Sequence, residues 1–181
     1  MKTKKTLIIV LSLLFIANQN LFAAKKISPE RQNVINYALK LQGIPYVWGG
    51  NSLEGFDCSA FVGYVYLNSV NIDLPRTSKE MYKKVKLIDP KEKEPGDLIF
   101  FCDDKGTINH VGIYCGVYRN KKNPKTRFEG KRIFISAISD GPRTGVQVEL
   151  VDATYWKKHF VGYGRLLQST ADYNAEKYGT K

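Results

Sequence analysis

Cysteine, histidine and long apolar runs are all scarce in this chain, and each scarcity excludes something. Among 181 residues there are three cysteines and two histidines. They stand in no zinc-like spacing, so neither a metal nor an organic cofactor is expected. The longest apolar segment, Leu7 to Ala17, is shorter than the roughly 20 residues that span a bilayer. No later segment approaches that length, so no transmembrane anchor is expected. Internal repeats and low-complexity stretches are absent. No basic cluster alternates with aromatics, which removes nucleic acid as an expected partner.

What is present begins with "MKTKKTLIIVLSLLFIANQNLFAA", a lysine-rich start, an apolar stretch and small residues at Ala23 and Ala24. That order reads as a cleavable secretory signal over residues 1–23. No cysteine lies near the cleavage region to carry a lipid. The expected location is outside the cytoplasm, periplasmic or secreted. Residues 24–168 are expected to form one domain, and 169–181, "STADYNAEKYGTK", a polar tail. Loss of Lys2, Lys4 and Lys5 with the signal lowers the formal charge from +11 to +8, still an excess that suits an anionic partner.

An odd cysteine count in an exported chain leaves at least one thiol unpaired. Cys102 and Cys115 flank "DDKGTINHVGIY", a turn followed by a strand. A tight hairpin places Cys102 opposite residue 108 rather than 115, too far for the usual disulfide geometry, although a bridge between the two stays open. Cys58 is the natural free thiol either way.

"SPERQNVINYALKLQG" carries Ser28 as a cap, Pro29 in the first turn and apolar residues on one face, the pattern of a helix. Asp57 is placed to cap a second, deeply apolar helix, "CSAFVGYVYLNSV". Thr77 and Glu80 have capping-box spacing for a short third one. Beyond Pro95 come β-rich runs, "DLIFF", "NHVGIYCGVY", "RIFISAIS", "GVQVELV" and "HFVGYGRLL", separated by turns. Helices first and strands afterwards predict an α+β domain, its N-terminal helices packed on a small antiparallel sheet.

Cys58 falls in a helical first turn, where unpaired amides and the helix dipole favour a thiolate. A nucleophile needs a base, and the candidates are His110 and His159. Alternation along "NHVGIYCG" puts His110, Gly112 and Tyr114 on one strand face. His159 follows two lysines and reads as a surface residue.

These segments, in this order, resemble the NlpC/P60 family of cell-wall cysteine peptidases. "GIPYVWGGNSLEGFDCSAFVGYVY" is similar to the family's nucleophile segment, "LPRTSKEMY" to the turn that follows, and "PGDLIFF" with "NHVGIYCG" to its histidine hairpin. "YWKKHFVGYGRLL" resembles the final strand. The resemblance implies a papain-like core with Cys58 as nucleophile and His110 as general base. It also implies a pocket for the stem peptide lined by Tyr46, Asp57 and Ser59, and an oxyanion met by the Cys58 amide with help from Tyr46. Capping the helix explains Asp57 equally well. Arg76, in "LPRTS", matches a family position too, but bonding local carbonyls explains it at least as well as touching substrate, so it stands outside the expected site, and Trp48, Gly49 and Gly50 are read as shaping a turn.

Two departures stand out. The family's third polar residue is most often histidine, whereas here the matching position in "FISAIS" is Ser136, whose hydroxyl can accept from His110 Nδ1–H but carries no charge. The segment "YRNKKNPKTRFEGKR" is long and basic for a strand connection. Its 119–132 loop is a candidate contact for anionic wall polymer or lipid headgroups. By this reading the chain is an exported cysteine endopeptidase. It hydrolyses an amide bond in peptidoglycan stem peptides, between D-glutamate and the diamino acid, through a Cys58 thioester. The alternatives are a catalytically silent wall-binding module, and a Cys–His amidase or acyl hydrolase with another substrate.

Overall fold

The structure is a computed structural model that describes residues 27–120, 122, 124–140 and 144–168. The expected signal segment and the expected polar tail from Ser169 lie outside the described residues, as does Lys121 of the basic loop. Helix α1 (Pro29–Lys40) starts where Ser28 accepts the Arg31 N–H and Pro29 fills the first turn. A two-strand ribbon, β1 (Asn51–Ser52) with β2 (Gly55–Phe56), leads into α2 (Cys58–Val70). Asn71, in the left-handed conformation at φ 56°, closes α2. Helix α3 (Ser78–Lys84) has the expected capping box, with the Thr77 hydroxyl accepting from Glu80 N–H at 3.2 Å and donating to its carboxylate at 2.8 Å.

Six strands follow: β3 (Lys86–Ile88), β4 (Leu98–Cys102), β5 (Ile108–Val117), β6 (Arg132–Ile138), β7 (Gly145–Leu150) and β8 (Phe160–Arg165). They form one antiparallel sheet in the order β3-β8-β4-β5-β6-β7. Alternation divides the side chains between two cores. Leu98, Phe100, Val111, Ile113, Ile135 and Ala137 pack under α1 and α2. Ile99, Phe101, Tyr114, Phe134 and Tyr163 pack on the other face, under the short helix α4 (Thr154–His159). A bulge between Tyr114 and Gly116 re-aims the end of β5, and Gly116 takes φ 92°, a conformation that suits glycine.

A buried ionic knot joins the two ends of the domain. The Arg31 guanidinium, with no exposed surface, bonds Asp97 at 2.9 Å and the carbonyls of Pro95, Leu167 and Gln168 at 2.9–3.2 Å. Arg165 reaches both Asp97 oxygens, at 3.0 and 2.8 Å. The buried Asp97 carboxylate and the two guanidinium groups around it thus meet partners, as burial requires.

The β4–β5 register puts Cys102 against Ile108, and Cys58, Cys102 and Cys115 are all free thiols. His159 departs from the surface position expected of it. It is 6% exposed, stacked on Tyr155 at 4.6 Å, because α4 turns "YWKKH" back over the sheet.

Candidate active site

Asp57 sets the position of Cys58. With extended backbone and its Oδ1 accepting the Ala60 N–H at 2.8 Å, it starts α2 so that Cys58 is the first helical residue. The thiol faces the backbone of β5, 3.9 Å from the Asn109 carbonyl and within reach of the Val111 N–H. Burial pushes its pKa up and the Asp57 charge adds to that, outweighing the amides of Val111, Ser59 and Cys58 itself. The first-turn position alone predicts a thiolate. Desolvation of the helix start against the sheet instead shifts the balance toward the thiol.

His110 is half-buried on β5 against two touching aromatic rings, Trp156 at 5.0 Å and Phe101 at 5.9 Å between centroids. Burial brings its pKa down to about 4. Its Nε2 lies 3.0 Å from Ser136 Oγ, and that hydroxyl donates to the Val111 carbonyl at 2.7 Å. A serine hydroxyl has one proton. With that proton on Val111, Oγ is an acceptor toward the ring, so Nε2 carries the imidazole hydrogen and Nδ1 is left as the base. The contact is therefore at Nε2 rather than the Nδ1 expected, because fully buried Ser136 reaches the ring from β6, behind the cleft. Gly112 makes this possible. A Cβ there would stand 2.8 Å from the Phe134 ring and 3.2 Å from Ser136 Cβ.

Cys58, His110, Tyr46, Asp57 and Ser59 line a single cleft of about 1100 Å³. The Tyr46 phenol is pushed up by burial and by the neighbouring Cys58 and Asp57, against a hydrogen bond with Ser139, so it remains a proton donor. Asp140, from the turn after β6, shares the cleft, but the partner of His110 is Ser136.

Arg76, left outside the expected site, lines the same cleft and bonds both a local carbonyl and the Asp57 carboxylate. Its Nη2 bonds Asp57 Oδ2 at 2.6 Å and the Gly49 carbonyl at 3.1 Å, while Nη1 bonds Asp57 Oδ1 and Ser59 Oγ, each at 3.1 Å. Ser59 Oγ in turn donates to Asp57 Oδ1 at 2.9 Å. Burial would raise the Asp57 pKa, but the bonds from Arg76, Ala60 and Ser59 outweigh it and hold the carboxyl below its usual range. The missed signal was a carboxylate due for burial at a helix start, which calls for a cation. Among the described residues no group of three or more His, Cys, Asp or Glu side chains is placed to hold a metal ion.

A sequence model of the NlpC/P60 family matches residues 43–165. Murein DD-endopeptidase MepH of Escherichia coli is 35% identical over 146 residues, covering 78% of this chain and 48% of that protein. Bifunctional muramidase/DL-endopeptidase CwlT of Bacillus subtilis is 37% identical over 138 residues, 75% of this chain and 36% of the relative. The chain thus spans less than half the length of either. Among solved structures, an NlpC/P60 family protein from Bacillus cereus superposes with a TM-score of 0.64 at 27% identity, covering 78% of this chain and 41% of that one. RipD of Mycobacterium tuberculosis, described as a non-catalytic NlpC/p60 domain protein adapted to peptidoglycan binding, superposes at 0.55 with 25% identity, over 77% and 99%. With the match running from the loop before β1 to the end of β8, this chain belongs to the NlpC/P60 family.

Proposed function

We propose that this chain is an exported cysteine endopeptidase that hydrolyses an amide bond in peptidoglycan stem peptides. One observation carries this reading: a helix-start thiol and an imidazole with a fixed tautomer open onto the same cleft. Nδ1 takes the Cys58 proton as the sulfur attacks the carbonyl, and the Cys58 amide and Tyr46 hydroxyl donate to the oxyanion. His110 then returns the proton to the departing amine, leaving a thioester that water hydrolyses by the reverse proton path.

The scissile bond on this reading joins D-glutamate to the diamino acid, in keeping with the DL-endopeptidase name of CwlT, whereas MepH is named for a DD bond. Asp57, Ser59 and Tyr46 form the wall that receives the residue ahead of that bond. Because Arg76 already neutralises Asp57, this wall offers the substrate ordered donors and acceptors more than a bare negative charge. Arg119, Arg127 and Arg132 of the basic loop are paired with Glu129, Glu149 and Asp152. Any contact with anionic wall polymer or lipid headgroups then falls to the loop's lysines. Unchanged wall association after neutralising Lys121, Lys122 and Lys125 would remove it.

Mass spectrometry of products from defined stem peptides, carrying either meso-diaminopimelate or lysine and with or without a DD cross-link, tests the proposal against Cys58→Ala. Cleavage after D-glutamate by the wild type alone is the expected result. Cleavage by Cys58→Ala would exclude the mechanism. The neutral Ser136 beside His110 favours a second reading, a catalytically silent wall-binding module. It predicts that both proteins bind sacculi and cut nothing.

A further inference from the structure

Ser136 leaves a charge problem that the structure answers elsewhere. When Nδ1 takes the Cys58 proton the ring becomes an imidazolium, and Ser136 meets it with a neutral oxygen. The carboxylates in the surrounding cleft are Asp57 of the helix side, Asp140 after β6 and Glu149 of β7, yet burial alone moves the pKa of His110. The ring's closest flat neighbour is Trp156 from α4, 5.0 Å away and inclined by 30°. Phe101 is farther and steeper, at 5.9 Å and 47°. An aromatic face carries negative quadrupole potential and attracts a cation within about 6 Å, most strongly when water is excluded and the ring is an indole.

Trp156 is itself held in place. Phe134 and Tyr155 meet it edge-on at 5.2 and 4.9 Å, each at 85°, and Phe101 packs 4.7 Å away. A ring bracketed from three directions presents one face to the imidazole. We propose that Trp156 is a positioning residue whose indole face holds His110 against Ser136. The same face stabilises the imidazolium formed as the Cys58 proton moves to Nδ1, in place of a charged third residue. This rests on the Cys58–His110 pairing of the proposed function. The proton leaves Sγ, resides on Nδ1 and is returned to the leaving amine, so the indole changes no bond.

Fluorinated tryptophans placed at position 156 weaken the face stepwise while almost preserving its shape. The full chain is alkylated with iodoacetamide at neutral pH and the label at Cys58 is followed by peptide mapping, apart from the free thiols Cys102 and Cys115, which reads the thiolate–imidazolium population at Cys58 without peptidoglycan. Alkylation should slow with each added fluorine, by about three- to tenfold for the tetrafluoro ring, at an unchanged melting temperature. In Trp156→Leu, 15N shifts should show His110 as mixed tautomers, whereas Trp156→Phe should keep the Nε2–H form. A flat fluorine series together with a single tautomer in Trp156→Leu would overturn the assignment. A graded series in a wild type that cuts no stem peptide would uphold it and remove the peptidase reading, and a flat series in an active peptidase would do the reverse.

Discussion

Arg76 grips Asp57 through two parallel bonds, Nη2 to Oδ2 at 2.6 Å and Nη1 to Oδ1 at 3.1 Å, and in doing so couples the turn before α3 to the first turn of α2. Asp57 is 9% exposed and its partner is the guanidinium, so removing the arginine strands a buried carboxylate beside the thiol. Arg76→Leu should destabilise the fold by about 1–3 kcal/mol in urea titrations and raise KM for any peptide cleaved. Arg76→Lys should recover little, because a single ammonium cannot span both oxygens.

Ser136→Ala frees the Nε2 side of His110 and with it the preference for a bare Nδ1. Turnover should fall roughly 10- to 100-fold with KM nearly unchanged, as when a supporting hydrogen bond is lost. Ser136→His, the change toward the family's usual residue, should not improve the protein. The side chain at 136 is fully buried against Gly112 and Phe134, so the larger ring should cost about 1–3 kcal/mol in thermal melts.

The depressed pKa of His110 predicts a pH-dependent stability with a definite sign. The folded ring protonates near 4 and an unfolded one near the ordinary 6.5, so the unfolded state binds more protons between those values. The contribution is complete above pH 6.5, is lost as pH falls through the window, and is flat below 4. It amounts to at most about 3 kcal/mol at 1.36 kcal/mol per pH unit. Denaturant midpoints of wild type minus His110→Gln, measured from pH 7 to 4, should trace this slope.

Asp97 stands between Arg31 and Arg165 with no exposed side-chain surface. Asp97→Asn takes the shared anion from two guanidinium groups, leaving Arg31 with Glu94 at 3.3 Å, and should cost about 3–5 kcal/mol by urea unfolding. Arg31→Met removes the guanidinium bonds to the Leu167 and Gln168 carbonyls, and should loosen the end of β8 in amide exchange.

Much of this was legible in the residues. The caps at Ser28, Asp57 and Thr77 are local signals, carried by side chains that bond within three positions, and each starts a helix where expected. Alternation in "NHVGIYCG" put His110 and Tyr114 on one face and Val111 and Ile113 on the other, and the packed structure turns the second pair toward the helices. Cys58, His110, Tyr46, Asp57 and Ser59, which the resemblance to one family groups together, line one cleft, whereas Ser136 does not border it. Relationships spanning long stretches of chain were not legible: Arg76 with Asp57, Trp156 with His110, Arg31 with Asp97 and Gln168. They depend on how the packed elements meet, and local spacing carries no trace of that. Cys58 shows the same limit in electrostatics, since its helix position favours the thiolate while burial against β5, set by the tertiary fold, reverses the balance.

The Arg31 knot has a bearing on how such a domain can be built into larger proteins. Helix α1 opens two residues before Arg31, and the carbonyls that Arg31 holds, at 167 and 168, follow the last strand. Entry and exit of the polypeptide are therefore stitched together at one spot, and none of the knot's residues borders the cleft. A unit fastened this way can be grafted between unrelated segments, or joined end to end and reopened elsewhere, without tugging on its chemistry. Strain from a flanking segment would meet the guanidinium and its carbonyls before it reached the cleft.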